Sequence, residues 1–123
     1  MRSPFVPLVV LLVFAGCAGP SVVTASGDAE ADGLDCALAE ATARGYAVVG
    51  AEAGVFFRAH QPKRYSLGRR GFNEFDVVTA TVARGRLTVL ASGEQTSADG
   101  VQAIDPSGVA EDEARAVVAA CTG

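Results

Sequence analysis

The strongest constraint on the fold of this chain is a pair of alternating runs on either side of Arg84-Gly85. In residues 72–83 one alternating set comprises Phe75, Val77, Thr79 and Thr81, and the opposite set comprises Asp76, Val78, Ala80 and Val82. Residues 86–92 continue in the same way, with Leu87, Val89 and Ala91 against Thr88, Leu90 and Ser92. A period of two is typical of β-strands, and glycine supplies the positive φ of a tight turn. The pattern predicts a β-hairpin.

Two further strands and two helices are predicted around this hairpin. Residues 46–52 and 55–61 have the composition of strands and are joined by a turn at Ala53-Gly54. Residues 33–44 and 109–121 have apolar side chains at helical spacing. The order α-β-β-β-β-α favours an α+β fold with two layers, in which a four-stranded antiparallel sheet carries both helices on one face.

The ends and faces of the helices follow from single residues. Asp32 is predicted to cap the first helix and Gly45 to end it. The apolar face of this helix comprises Leu34, Ala37, Leu38 and Ala41. Residues 93–108 are predicted to be a loop. The second helix is predicted to bury Ala110, Ala114, Val117, Val118 and Cys121.

The N-terminus has the pattern of an export signal. An apolar run at residues 5–15 follows a single cation, Arg2. The run is shorter than the roughly 20 apolar residues that a spanning helix needs, but its length and flanks match the apolar region of a secretory signal. The small residues Ala15 and Gly16 precede Cys17, as cleavage by a signal peptidase requires.

Ala15, Gly16 and Cys17 resemble the lipobox of bacterial lipoproteins, although Phe14 stands where that motif usually has leucine. The resemblance covers only this segment. It implies that residues 1–16 are a signal peptide and that Cys17 becomes a lipidated N-terminus. The rest of the chain would then be anchored to a membrane of the cell envelope.

The resemblance also bears on which membrane holds the protein. In bacterial lipoproteins an aspartate after the lipidated cysteine commonly retains the protein at the inner membrane, and this chain has Ala18 there. The periplasmic face of the outer membrane is therefore favoured. Two alternatives remain, namely an ordinary secretory signal cleaved near Ala18 or Ala25, which would remove Cys17, and an uncleaved anchor.

The composition of the chain from Cys17 onward predicts two regions, a tether and a folded domain. Residues 17–32 are predicted to be the lipidated cysteine followed by a flexible tether, because residues 18–32 are small, polar or acidic. Residues 33–123 are predicted to be one small α+β domain. The net charge of the full sequence is −4, and this acidic balance argues against nucleic acid as a partner.

Cys36 and Cys121 are left as an even pair when lipid occupies Cys17. Exported proteins fold in an oxidising compartment, so this pair is predicted to form a disulfide. The alternative is two separate thiols. A zinc site is not expected, because zinc takes four ligands and His60 is the only other soft donor.

A basic segment lies between Glu52 and Glu74, with no acidic residue inside it. Its cations are Arg58, Lys63, Arg64, Arg69 and Arg70, and it also contains His60. Such a segment could bind phosphates, anionic headgroups or an acidic cell-wall polymer, since arginine and lysine pair with phosphate. The alternative is a solvated hairpin loop whose charges keep an edge strand from pairing with other chains.

No catalytic or cofactor motif is found in the sequence, so no cofactor is expected. His60 is the only histidine and has no neighbouring nucleophile in a suitable motif. Glu74 and Asp76 lie two apart on one strand, and hence on one face, where they could share a proton or a cation; they are predicted instead to be surface carboxylates neutralised by Arg69 and Arg70.

Three hypotheses about function remain. The first is a non-enzymatic, lipid-anchored module that binds an envelope protein or an anionic surface. The second is a small envelope hydrolase or isomerase with His60 or Glu74 as acid or base, which requires these groups together in a cleft. The third is a structural subunit of an envelope complex, which predicts an exposed apolar sheet face.

Overall fold

The predicted hairpin around Arg84-Gly85 forms the centre of the sheet. In the computed structural model of the protein, residues 19–63 and 73–122 are described. The elements are β1 (Val23–Asp28), α1 (Gly33–Ala43), β2 (Ala47–Glu52), β3 (Phe56–Pro62), β4 (Asn73–Ala83), β5 (Arg86–Ser97), β6 (Gly100–Ile104) and α2 (Gly108–Cys121). β4 and β5 pair without a break from Ala83↔Arg86 to Asn73↔Thr96, and both turn residues have positive φ, at 55° and 74°.

The α+β class and the antiparallel sheet are confirmed, but the predicted number of strands is wrong. The described strands form a six-stranded sheet rather than a four-stranded one, in the order β1-β5-β4-β3-β2, with β6 also paired to β5. The two strands that the sequence did not predict, β1 and β6, both lie along β5. β1 pairs with residues 86–91 of β5 and β6 pairs with residues 93–97, so they occupy successive parts of one edge.

β1 corrects the predicted tether. Residues 23–28 lie in the folded sheet rather than in a flexible segment, so the domain begins before residue 33. The core-facing positions of this strand are the small residues Val23, Ala25 and Gly27, opposite Ala91, Val89 and Leu87. A Cβ atom on Gly27 would lie 2.9 Å from Cγ2 of Thr122. The close approach of Thr122, which follows α2, therefore leaves no room for a side chain at Gly27.

β6 corrects the predicted loop at residues 93–108. β5 continues to Ser97 and turns back as β6, although the sequence from Gly93 to Ser97 is polar. Backbone pairing on both sides supports this half of β5, because residues 93–96 are bonded to both β4 and β6. Every residue of β6 except Ile104 is exposed.

Both helices cover one face of the sheet, as predicted. The buried core is formed by α1, α2 and the alternate residues of the strands, with Phe57, Val78, Leu87 and Val89 among its larger members. α1 ends before Gly45, whose φ of +97° is the left-handed conformation that favours glycine. The predicted cap at Asp32 is not formed, because its side chain makes no cap hydrogen bond.

Candidate functional site

The predicted disulfide is confirmed. Cys36 and Cys121 are joined, with their Cα atoms 5.7 Å apart and a sequence separation of 85. The bond links the first turn of α1 to the last turn of α2, so it ties together the two helices that cover the sheet. A covalent link over a loop of this length stabilises the fold chiefly by restricting the unfolded chain.

Several predicted functional residues lie outside the described residues. These are the proposed lipid-attachment residue Cys17 and three cations of the basic segment, Arg64, Arg69 and Arg70. The described members of the basic segment, Arg58 and Lys63, each pair with a carboxylate. Arg58 pairs with Glu94, and Nζ of Lys63 lies 3.9 Å from Oε2 of Glu74. Both cations therefore have a structural partner.

Arg58 and Glu94 form an ion pair across the face of the sheet that faces away from the helices. Arg58 lies on β3 opposite Thr79, and Glu94 lies on β5 opposite Phe75, so the pair crosses β4 above Val77. Val77 is 0% exposed although it is not part of the core beneath the helices. The ion pair thus shields a valine on a face that none of the described helices covers.

His60 is a stacked residue on the same face. Its ring lies 4.6 Å from the ring of Phe75, with the two planes 10° apart. Glu74 lies on the face of β4 that points toward the helices, because side chains alternate along a strand. His60 is paired with Val77 and lies on the face that points away from the helices. The two groups named in the enzyme hypothesis are therefore on opposite sides of the sheet, and the cleft that this hypothesis requires is not formed by them.

The face away from the helices also differs from the exposed apolar surface that the third hypothesis predicts. Its positions on the two central strands are rich in hydroxyl side chains, with Thr79, Thr81, Thr88 and Ser92 among them. Leu90 and Phe75 are half-buried there. Within the described residues this face is a mixed polar surface.

Asp76 is a buried carboxylate, so the prediction that it lies at the surface is wrong; Arg69 and Arg70, its predicted partners, lie outside the described residues. Asp76 is 2% exposed and points toward the start of α2. The backbone N–H of Ser107 donates to Oδ1 at 2.8 Å, and the Ser107 hydroxyl donates to Oδ2 at 2.6 Å. The Ser107 hydroxyl also accepts from the N–H of Ala110 at 3.2 Å, as a helix N-cap does. Asp76 therefore fixes the residue that caps α2.

Tyr46 belongs to a second buried polar group beside Asp76. Oε1 of Glu113 accepts hydrogen bonds from the Tyr46 hydroxyl and from the amide of Gln61, each at 3.3 Å. Burial raises the pKa of Tyr46 from 10.0 to about 12, because the charged phenolate is poorly solvated there. No buried side-chain nitrogen or oxygen of residues 19–63 and 73–122 lacks a hydrogen-bond partner. The group is internally satisfied, as in a structural network.

The described residues form surface clefts at two places that concern the helices. One, of about 370 Å³, lies beside the disulfide and is lined by acidic residues, Asp28, Glu30 and Asp32 among them. The other, of about 240 Å³, lies between α1 and the β2–β3 hairpin and is lined mainly by apolar side chains such as Leu34, Leu38 and Phe56. Among the described residues no group of three or more His, Cys, Asp or Glu side chains could hold a metal ion.

Ser21 is attached to the folded domain just before β1 begins. Its N–H donates to Oδ1 of Asp105 at 2.7 Å, and its hydroxyl donates to the same oxygen at 3.2 Å. Asp105 follows β6 directly, so this contact joins the start of β1 to the end of β6. Gly93, on β5 between them, has no room for a side chain, because a Cβ atom would lie 2.6 Å from the carbonyl oxygen of Asp105.

No family model matches the sequence, and no curated protein is similar to it. None of the described helices is both long and apolar enough to cross a membrane. The function is therefore inferred from the sequence and from the described residues themselves.

Proposed function

We propose that this protein is a lipid-anchored envelope protein whose small α+β domain acts as a non-enzymatic binding or accessory module at the membrane surface. The run of Ala15, Gly16 and Cys17 after an apolar segment carries the proposal, and the attachment of Ser21 to Asp105 sets how far Ser21 and the domain lie from Cys17. Only three residues, Ala18, Gly19 and Pro20, separate Ser21 from Cys17. An acyl chain on Cys17 would hold the domain directly against the bilayer rather than on a long tether.

The disulfide supports export. Disulfides persist in oxidising compartments and are rare in the cytosol. The bond between Cys36 and Cys121 pairs two of the three cysteines of the sequence and leaves Cys17 for a separate role. Acyl chains contribute about 0.8 kcal/mol per buried CH₂, so two or three chains suffice to anchor the domain.

The test is the intact mass of the protein from the membrane fraction. We expect a mature chain that begins at Cys17 and carries acyl groups. Cys17→Ser should remove the acyl mass and release the protein from the membrane. Ala18→Asp should keep the acyl mass and, by the sorting rule of bacterial lipoproteins, move the protein from the outer to the inner membrane. An unmodified mature chain that begins after Cys17 would refute the proposal.

We propose an anionic surface as the partner of the domain. Arg64, Arg69 and Arg70 lie in a segment that has no acidic residue between Glu52 and Glu74. Lys63 and Asn73, which flank residues 64–72, lie at the end of the sheet from which Ser21 leads toward Cys17. Phosphate-bearing headgroups or an acidic cell-wall polymer at the membrane would therefore be within reach of this segment.

This partner is tested with the non-lipidated full chain, so that the anchor does not dominate binding. Replacement of Arg64, Arg69 and Arg70 by Ser should weaken binding to anionic vesicles, and the loss should be greatest at low salt because surface charges are screened at high salt. Replacement of Arg84 and Arg86 at the opposite end of the sheet is the matched control. Equal binding by both variants at low salt would show that the basic segment is not the surface that binds anionic lipid.

A further inference from the structure

The end of the sheet that carries the N-terminal chain also carries the β5–β6 hairpin. β1 runs antiparallel to β5, with Val23 opposite Ala91 and Asp28 opposite Arg86. Following the chain back from Val23 to Ser21 therefore leads toward the high-numbered end of β5. The β5–β6 hairpin projects in the same direction, from the level of Gly93 and Ile104 to the turn after Ser97.

The length of this hairpin matches the reach of the N-terminal link. Ser21 is held at the level of Gly93 by Asp105, which follows the partner of Gly93 on β6. From Gly93 to Ser97 the strand rises about 14 Å, at roughly 3.4 Å per residue. The four residue steps from Ser21 back to Cys17 span at most about 14 Å when fully extended. A lipid on Cys17 would therefore hold the membrane about as far from the level of Gly93 as the tip of the hairpin reaches.

The surface chemistry of this end suits contact with lipid headgroups. Among the large hydrophobic residues exposed in residues 19–63 and 73–122, the two with the highest exposed fractions are Val101 at 69% and Val22 at 54%, and both lie at this end. Residues 95–104 contain a single charged residue, Asp99. An exposed apolar side chain on a nearly uncharged hairpin loses little solvation energy when it enters the headgroup region.

We propose that the β5–β6 hairpin is the membrane-contact surface of the domain, and that its tip rests on the phospholipid leaflet that holds the acyl chains of Cys17. The inference rests on the lipid anchor of the proposed function. The acidic start of α2, which Ser107 attaches to Asp76 at the level of Gly93, would then lie about one strand length, roughly 14 Å, above the leaflet. This separation exceeds the Debye length of about 8 Å at physiological salt, so the acidic residues there would not be repelled by anionic lipids.

The absence of tryptophan from the sequence allows a direct test. Val101→Trp places a single fluorophore on the hairpin. Val55→Trp is the matched control, because Val55 is also exposed, at 46%, but lies in the turn between β2 and β3 at the opposite end of the sheet. The lipidated full chain of each variant is purified from membranes and reconstituted into phosphatidylcholine vesicles with and without brominated acyl chains.

We expect brominated lipid to quench the Val101→Trp emission roughly twofold, because a side chain at the headgroup boundary lies within about 5–10 Å of the acyl chains. The Val55→Trp emission should not change. Quenching of Val101→Trp no greater than that of Val55→Trp, in protein that floats with the vesicles, would overturn the hairpin contact and leave the anchor intact. A chain that neither floats nor carries acyl mass would instead refute the proposed function.

Discussion

Asp105 holds Ser21 at the point where β1 and β6 meet along β5. One carboxylate oxygen accepts both the N–H and the hydroxyl of Ser21. The contact fixes the chain two residues before β1, so the distance between the proposed anchor and the domain depends on a single exposed side chain. The residues that make this junction can be changed without touching the core.

Replacement of Asp105 by Ala should free the chain before β1. Because the contact is exposed, we expect the free energy of unfolding to fall by only about 1 kcal/mol. Amide exchange at Ser21 should become faster, since the acceptor of its N–H is lost. Asp105→Asn keeps an oxygen acceptor and should retain most of the protection. Equal exchange in both variants would show that the hydrogen bonds do not hold this segment.

Gly93→Ala should destabilise the region of β5 where β1 and β6 meet. A Cβ atom at this position would lie 2.6 Å from the carbonyl oxygen of Asp105 and 2.9 Å from that of Ile104. Both neighbours are backbone atoms, so the strands must move apart, at a cost of about 1–3 kcal/mol. Gly50→Ala is the control, because no heavy atom lies within 4 Å of a Cβ atom there. Urea denaturation of the two variants should differ clearly, and equal midpoints would contradict the close approach.

Loss of the disulfide should destabilise the domain strongly. Replacing Cys36 and Cys121 by Ser removes the link between α1 and α2, and we expect the free energy of unfolding to fall by roughly 2–5 kcal/mol. Thermal and urea unfolding with and without reductant measure the effect. Cys17→Ser should leave the stability unchanged, since Cys17 is not part of the pair. A reduced protein with unaltered stability would rule out a stabilising role for the bond.

The raised pKa of Tyr46 predicts a loss of stability at high pH. The folded pKa is about 12 and the unfolded value is 10.0, so the folded state binds the proton more tightly. Its contribution to stability is complete below pH 10 and is lost as the pH rises through about 12. In this window the free energy of unfolding should fall by at most about 1.4 kcal/mol per pH unit.

Tyr46→Phe should flatten this decline, because phenylalanine does not titrate. The measurement is urea denaturation at several pH values above 9, together with the tyrosinate absorbance of the folded protein. Tyr65→Phe is the control, since the sequence contains only these two tyrosines. A decline that persists unchanged in Tyr46→Phe would mean that other groups cause it.

Asp76 and Ser107 should be energetically coupled. The buried carboxylate accepts two hydrogen bonds from Ser107, and Ser107 in turn caps α2. Asp76→Asn and Ser107→Ala should each cost about 1–3 kcal/mol. The double variant should cost less than the sum, by roughly 0.5–3 kcal/mol, since both changes remove the same contact. Strict additivity in this double-mutant cycle would indicate that the two residues act separately.

The local pattern of the sequence predicted the helices, the central hairpin and the disulfide, because each follows from periodicity, a turn residue or the count of cysteines. β1 was not predicted because its core-facing residues Val23, Ala25 and Gly27 are small and give a weak apolar pattern; at Gly27 the approach of Thr122 leaves no room for a side chain. β6 was not predicted because it is exposed and depends on backbone pairing with the polar half of β5. Neither strand is visible in hydrophobic periodicity.

The candidate site was harder to predict than the fold. The burial of Asp76 had a signal in the sequence, since it alternates with the core residues Val78 and Ala80. The ion pair between Arg58 and Glu94 had no signal in the sequence, because it joins two strands that are separated by a third. The Ser21 contact also depends on tertiary structure, since it is made 84 residues away in sequence.

The bond between Cys36 and Cys121 has a consequence for proteolysis. Any single backbone cut between these residues leaves two fragments that remain covalently joined through sulfur. A protease applied to intact cells could therefore cleave the protein without releasing either fragment. The cut would be visible on a gel only after reduction, so unreduced samples would overstate the resistance of this domain to digestion.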